Sequence, residues 1–341
     1  MIRVATKLKN QPRFVHAPMR IPLAIIFIFS LTIASLSPAH AQTKIRVGKA
    51  ISEAFSFVPL DVGIETGIFK KHGLDVEKYD FAGSAKLQQG LAAGSIDIGL
   101  GSGPELAFIA KGAPSIGVAA MANAPWLLTL DVDKNSPIKS IADLKGKTVT
   151  VSTVGSLTEW LVHDLSRQQG WGPNGIKTLP VGTDAAQISA LKTHQVDGVV
   201  IDIGAAYRLE EAGSTRILVR FGEIVKDFHI HIIYASRDFA DKNPEAVRAF
   251  LAGWFETIAY MRANKAQSVD IAARVMAVSP AIAGKVYDEL MPAFNPDGRF
   301  NPKALEVLRK SYVEMGILPA EPDMSKLVTE KFLPNAAAQG K

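Results

Sequence analysis

Residues Gly94–Glu105 read GSIDIGLGSGPE, with glycines at 94, 99, 101 and 103 around a short apolar run. Glycine at a strand end lets backbone approach a ligand, and a helix start there presents N–H groups and a dipole that favour negative groups. Pro104 follows Gly99-x-Gly101-x-Gly103, so the spacing is not the G-x-G-x-x-G of a dinucleotide site, and no P-loop lysine follows. What remains is a strand end entering a helix, the crevice where open α/β sheets bind ligands. A helix start with glycines kept for packing is the plainer alternative.

Three further loops share this character. In VSTVGSLTEW, Val151 leads into Ser152 and Thr153, Gly155 gives conformational freedom, and Ser156 or Thr158 can cap the next helix while offering hydroxyls. In AISEAFSFVP, Phe55 and Phe57 frame Ser56 ahead of a helix; an aromatic there can stack on an organic ligand, although Phe57 reads as core. FAGSAK places Gly83 and Ser84 at the fourth loop, with Ser84 the expected N-cap. His229 and His231 lie at i, i+2 on one side of a strand, a geometry open to a metal, but no third ligand stands at suitable spacing, which favours structural histidines. There is no H-E-x-x-H, no G-x-S-x-G and no paired acid and base, so catalytic chemistry has no visible carrier.

The elements that position these loops alternate. KIRVGKA reads as a strand, SFVPLDVGIETGIF as a helix stopped at Gly67, Asp75–Phe81 as a second strand, and Ser84 to Gly94 as a helix. SIDIGLG is a buried strand, GPELAFIAKG a helix with Pro104 at its first position, and PSIGVAAMA a fourth strand. This rhythm specifies a parallel, doubly wound α/β lobe, and it begins again from IADLKGKTVTV to AAYRLEEAG. KLQQGLAAGSIDIG and AQISALKTHQVDGV align without gaps, matching Leu91 with Leu191 and Asp97 with Asp197, so both lobes use one supersecondary unit. PWLLTLDVD and HIHIIYAS are the candidate crossing strands between lobes. From Pro244 onward the pattern is helical, an ending expected to pack onto the first lobe.

Composition narrows the function. Arg3, Lys7, Lys9, Arg13 and Arg20 precede the apolar run IPLAIIFIFSLTIASL and the small-residue sequence SPAHAQ, which reads as a secretory signal peptide over residues 1–41, cut before Gln42. Without those five basic residues the chain carries 33 Lys or Arg against 33 Asp or Glu, so its basic character gives no case for nucleic acid or anionic membrane. Cysteine is absent, which removes disulfides, thiolate nucleophiles and a lipidated cysteine.

The segments GIETGIFKKHGLDVE, LAAGSIDIGLGSGPELAFIAKGAP, IKSIADLKGKTVTV, LKTHQVDGVVID and NPEAVRAFLAGWFETIAYMRAN, in this order, resemble the alkanesulfonate/nitrate/taurine-type solute-binding proteins of ABC importers, a family that includes thiamine-pyrimidine-precursor binders. The resemblance implies a type II periplasmic-binding-protein fold: two α/β lobes joined by two crossing strands, here 44–127 with 234–341 and 128–233, and a helical C-terminal tail. It also implies a cleft lined by Ser52, Phe55, Gly83, Ser84, Ser102, Gly103 and Glu105 on one side and by Thr153, Gly155, Ser156, Leu157 and Asp202 on the other. No Lys or Arg stands in these loops, whereas Glu105 and Asp202 do, which suits a ligand with an amine or an uncharged heterocycle better than a bare anion. The implied protein is a periplasmic monomer without cofactor that captures a small organic solute and delivers it to an inner-membrane permease. An enzyme on the same fold, such as a pyrimidine-precursor synthase, is the alternative; the effector-binding half of a regulator lacks its DNA-binding helices.

Overall fold

In the computed structural model, residues 42–334 are described apart from Ala82 and Asn123; the expected signal peptide lies outside them. The chain begins β1 (Thr43–Lys49), α1 (Val58–Glu65), α2 (Ile68–Lys71), β2 (Leu74–Asp80), α3 (Ser84–Ala92), β3 (Ile98–Ser102), α4 (Leu106–Ala110), β4 (Ser115–Ala122). It continues β5 (Leu128–Asp133), β6 (Thr148–Val151), α5 (Leu157–Gln168), β7 (Lys177–Pro180), α6 (Asp184–Lys192), β8 (Gly198–Asp202), α7 (Ile203–Glu211), β9 (Thr215–Arg220), α8 (Phe221–Ile224). The return comprises β10 (His231–Ser236), α9 (Arg237–Lys242), α10 (Pro244–Ala263), α11 (Lys265–Met276), α12 (Pro280–Leu290) and α13 (Pro302–Glu314).

Two five-stranded sheets result, in the orders β2-β1-β3-β10-β4 and β7-β6-β8-β5-β9. Each is mixed, where the helix–strand rhythm alone suggested parallel lobes. The reason is the crossing itself. A chain leaving one sheet at its carboxyl edge enters the other at the carboxyl edge too, and must run back against its neighbours. Leu128, the first residue of β5, therefore pairs with Asp202, the last of β8. His231, the first of β10, pairs with Ser102, the last of β3. All six residues of β10 belong to the first sheet, so the chain crosses back just before His231.

The echo between the halves is structural. The Asp97 carboxylate accepts the Arg46 N–H at 2.8 Å while its own N–H donates to the Arg46 carbonyl. Asp197 makes the same exchange with Thr148, at 2.9 Å and 2.8 Å. In each half an aspartate after a helix–turn thus locks the new strand beside its central neighbour. β9 is an element that the sequence pattern did not declare: TRILVR has arginine at two of six positions, and as an edge strand on β5 it is only half-buried.

The helical ending covers more than the first sheet. α10 and α11 pack on α1, and Phe69 stacks on Phe250 with ring centroids 5.2 Å apart. α12 packs against α7 of the second half, and Glu314 at the end of α13 accepts from Trp160 of α5 at 3.0 Å. The expectation that this ending packs on the first lobe is therefore widened. It touches both.

Candidate functional site

At the carboxyl edge of the first sheet β1 ends in Lys49, whose side chain is 1% exposed. Its ammonium donates to the Ser52 carbonyl at 2.8 Å and to Asp61 at 3.1 Å, with Asp80 at 3.6 Å, and Lys78 holds the other Asp61 oxygen. A cation does stand at this edge, missed because it lies just before the loop, but Asp61 already neutralises it. Ser52 contributes its carbonyl to that arrangement. Phe55 is fully buried, edge-on to Tyr287 at 6.3 Å and tilted on Phe294 at 6.0 Å. In this packing it is part of the core. The aromatic pair AFSF could not reveal this, because the partners arrive from α12 and beyond.

Gly83 sits at φ +108°, donates its N–H to the Ala50 carbonyl at 2.8 Å and is itself the N-cap of α3, which displaces Ser84 from the expected capping position. Ser84 is the first helical residue, and its hydroxyl lies 3.2 Å from that of Ser102. Ser102 and Glu105 form a capping box around the turn after β3. The Glu105 carboxylate accepts the Ser102 N–H at 2.7 Å and the Gln88 amide at 2.7 Å, and Gln88 in turn accepts from Ser115 at 2.8 Å. Burial pushes the Glu105 pKa up to about 7, against those hydrogen bonds. At 1% exposure the Glu105 carboxylate clamps its own turn. Gly103 is required by proximity: a Cβ there would lie 1.9 Å from the His229 carbonyl oxygen of the returning chain.

The second sheet builds its edge similarly. Ser156 caps α5 by accepting the Glu159 N–H at 3.3 Å, Thr158 accepts the Ser152 N–H at 2.9 Å, and Gly155, at φ +71°, donates its N–H to Glu159 at 2.6 Å. Thr153 is exposed and Leu157 half-buried; Ile317 comes to 3.4 Å of where a Gly155 Cβ would stand. Asp202 caps α7 through one oxygen, which accepts the Gly204 N–H at 2.8 Å; the other, Oδ2, is buried without a partner. Burial, with the charges of Asp184 and Glu53 adding to it, pushes the Asp202 pKa up to about 7. Glu53 belongs to the first sheet's loop, so the two carboxyl edges meet here.

Between the first sheet and the crossing segment a cavity of about 10 Å³ is lined by Ser56, Ala122, Trp126, Leu127, Leu290 and Phe294. That is room for about one water. Two carboxylates bridge the halves: Glu289 of α12 accepts from Tyr207 and Arg220, and Glu314 accepts from Trp160 and Arg167. Among the described residues no group of His, Asp and Glu is arranged to hold a metal ion.

Two mixed sheets that exchange one antiparallel strand at each carboxyl edge define the periplasmic-binding-protein fold. The periplasmic aliphatic sulphonate binding protein SsuA from Escherichia coli has this architecture, with a TM-score of 0.71 at 22% identity over 84% of this chain and 92% of that one. The model of the NMT1/THI5-like family matches residues 54–268, and the chain belongs to that family. A protein of Brucella abortus (strain 2308) named as a binding protein is 26% identical over 265 residues, covering 76% of this chain and 78% of its own. One of Escherichia coli (strain K12), named for binding aliphatic sulfonates, is 27% identical over 259 residues, covering 71% of this chain and 79% of its own.

Proposed function

We propose that this chain is the periplasmic receptor of an ABC importer, a monomer that holds a small organic solute between its two sheets and closes around it. The observation that carries the reading is the meeting of the two carboxyl edges, where Glu53 of one half lies close enough to raise the pKa of Asp184 and Asp202 in the other. A solute seated there touches both halves and favours the closed arrangement, which a permease can read as shape. The names of the Brucella and Escherichia relatives agree with binding. A sulfonate, an amino-sulfonate or amino acid, and a pyrimidine are the solute classes considered, and Thr153–Leu157, Asp202, Ser84 and Ser102 are the contacts assigned to them.

Calorimetry with ethanesulfonate, taurine, nitrate and cytosine, followed by small-angle scattering of any complex, tests this. The expected result is one-to-one binding with a smaller radius of gyration and a solute recovered intact. A solute returned chemically altered would transfer the case to a synthase on the same fold. The exported product should have the mass of a chain starting at Gln42.

A further inference from the structure

His231 is the first residue of β10, in register between Ser102 of β3 and Ala122 of β4 at the carboxyl edge of the first sheet. Its side chain is 5% exposed and stands edge-on to Phe57, with ring centroids 4.7 Å apart. Nδ1 is buried and has no hydrogen-bond partner. A buried polar atom without a partner is costly, and native folds leave few of them. Two residues earlier His229 also leaves its Nδ1 without a partner, but its Nε2 accepts the Asn301 N–H at 2.9 Å and its ring rests edge-on against Phe300. The two histidines of HIH are therefore unlike. One is tied into the fold by a ring hydrogen bond, whereas no hydrogen bond holds the His231 ring, which stands in register with Ser102, whose hydroxyl lies 3.2 Å from that of Ser84.

Resting on the receptor reading, we propose that His231, with Ser102 and Ser84, is the subsite for an uncharged hydrogen-bonding part of the solute, an amide or the edge of a heteroaromatic ring. Charge argues against an anion at this place. Burial, unopposed by any hydrogen bond, holds the imidazole neutral by lowering its pKa to about 3. The cation at this edge, Lys49, is engaged by Asp61, so a sulfonate or nitrate would meet no free positive charge. A neutral imidazole carries one donor and one acceptor, which matches a group offering both. The cavity beside Ala122 is too small for such a group and is not lined by His231, so the subsite requires that the halves separate to admit the solute.

The test uses the mature chain with His231→Phe and His231→Gln, and nicotinamide, cytosine, uracil, ethanesulfonate and nitrate as probes, reading Kd by calorimetry and Tm by melting. The expected result is that at least one uncharged ring compound binds the wild type. Phe should then weaken it at least tenfold, Gln should restore it to within threefold, and the Phe variant should melt no lower than the wild type, since it discards an unsatisfied atom. An unchanged Kd in the Phe variant overturns the proposal. So does a fall of Tm in parallel with binding, which would make His231 structural. Binding of the anions alone overturns the subsite but leaves the receptor reading standing, and binding of none of the five removes both.

Discussion

Glu105 shows how far a residue's chemistry depends on its neighbours. Read along the chain it is a carboxylate in a glycine-rich loop. In the fold it is the hub of a buried ladder from Ser115 through Gln88 to Ser102. The Ser102-x-x-Glu105 spacing is that of a capping box, so this role was written in the sequence and was outweighed by the charge. The consequence is a pH dependence. The folded pKa of Glu105 is about 7, above the ordinary 4.5, so the folded state binds the extra proton and stability falls as pH rises toward and through 7. Asp131 at about 6 and Asp202 at about 7 act in the same direction. His229 and His231, lowered to about 4 and 3, act oppositely, but only below the ordinary histidine value of 6.5. From pH 6.5 upward the opposing histidine contribution fades as the unfolded histidines lose their protons, and the carboxylates set the direction of the slope. The wild type should melt at a lower temperature at pH 8 than at pH 6.5, and Glu105→Gln should reduce that difference. A variant whose melting temperatures keep the full wild-type difference would show that Glu105 does not titrate there.

At the scale of elements, the repeated helix–turn–strand unit was legible because its signals are local: an apolar helix face, a turn, then an aspartate that opens a strand. Asp97 and Asp197 confirm the register of that alignment by making the same backbone exchange. The antiparallel strands were not legible, because direction is fixed by where the chain re-enters a sheet and not by any property of LTLDVD or HIIYAS. The same alignment locates a strained turn. Gly94 takes φ +67° after α3, and its counterpart after α6, His194, is held at φ +56° without being glycine. A side chain in the left-handed region costs about 1 kcal/mol, partly offset by the greater freedom that glycine has when unfolded. His194→Gly should therefore stabilise the protein by about 0.5 kcal/mol, read as a higher urea midpoint with an unchanged slope. A lower midpoint would mean that the His194 side chain supports the turn in a way its geometry does not show.

For the whole molecule the decisive contacts are those that bridge the two sheets, and they are scarcely legible along the chain. Glu289 and Glu314 lie in a helical ending that reads as a cover for the first lobe. Their partners, Tyr207 with Arg220 and Trp160 with Arg167, lie in the second. Trp160 also stacks on Phe228 of the crossing segment at 4.7 Å, so this bridge sits beside the path by which the chain returns. Half-exposed ion pairs contribute about 1 kcal/mol or less each, and the Trp160 and Tyr207 hydrogen bonds add a comparable amount. On the receptor reading, together they would give a closed arrangement an advantage of about 2 kcal/mol without any solute, a factor of about thirty in population. On the receptor reading this sets the affinity, because a solute that enters the open form gains from every contact that helps the halves re-close. Glu289→Gln combined with Glu314→Gln keeps size and packing while weakening both bridges. The double variant should show a larger radius of gyration than the wild type in small-angle scattering without solute. It should also bind any solute that both forms recognise more weakly, by up to about tenfold, with each single variant intermediate. Were the radius and the affinity both unchanged, these carboxylates would be ordinary surface pairs, and closure would have to be driven by the solute alone.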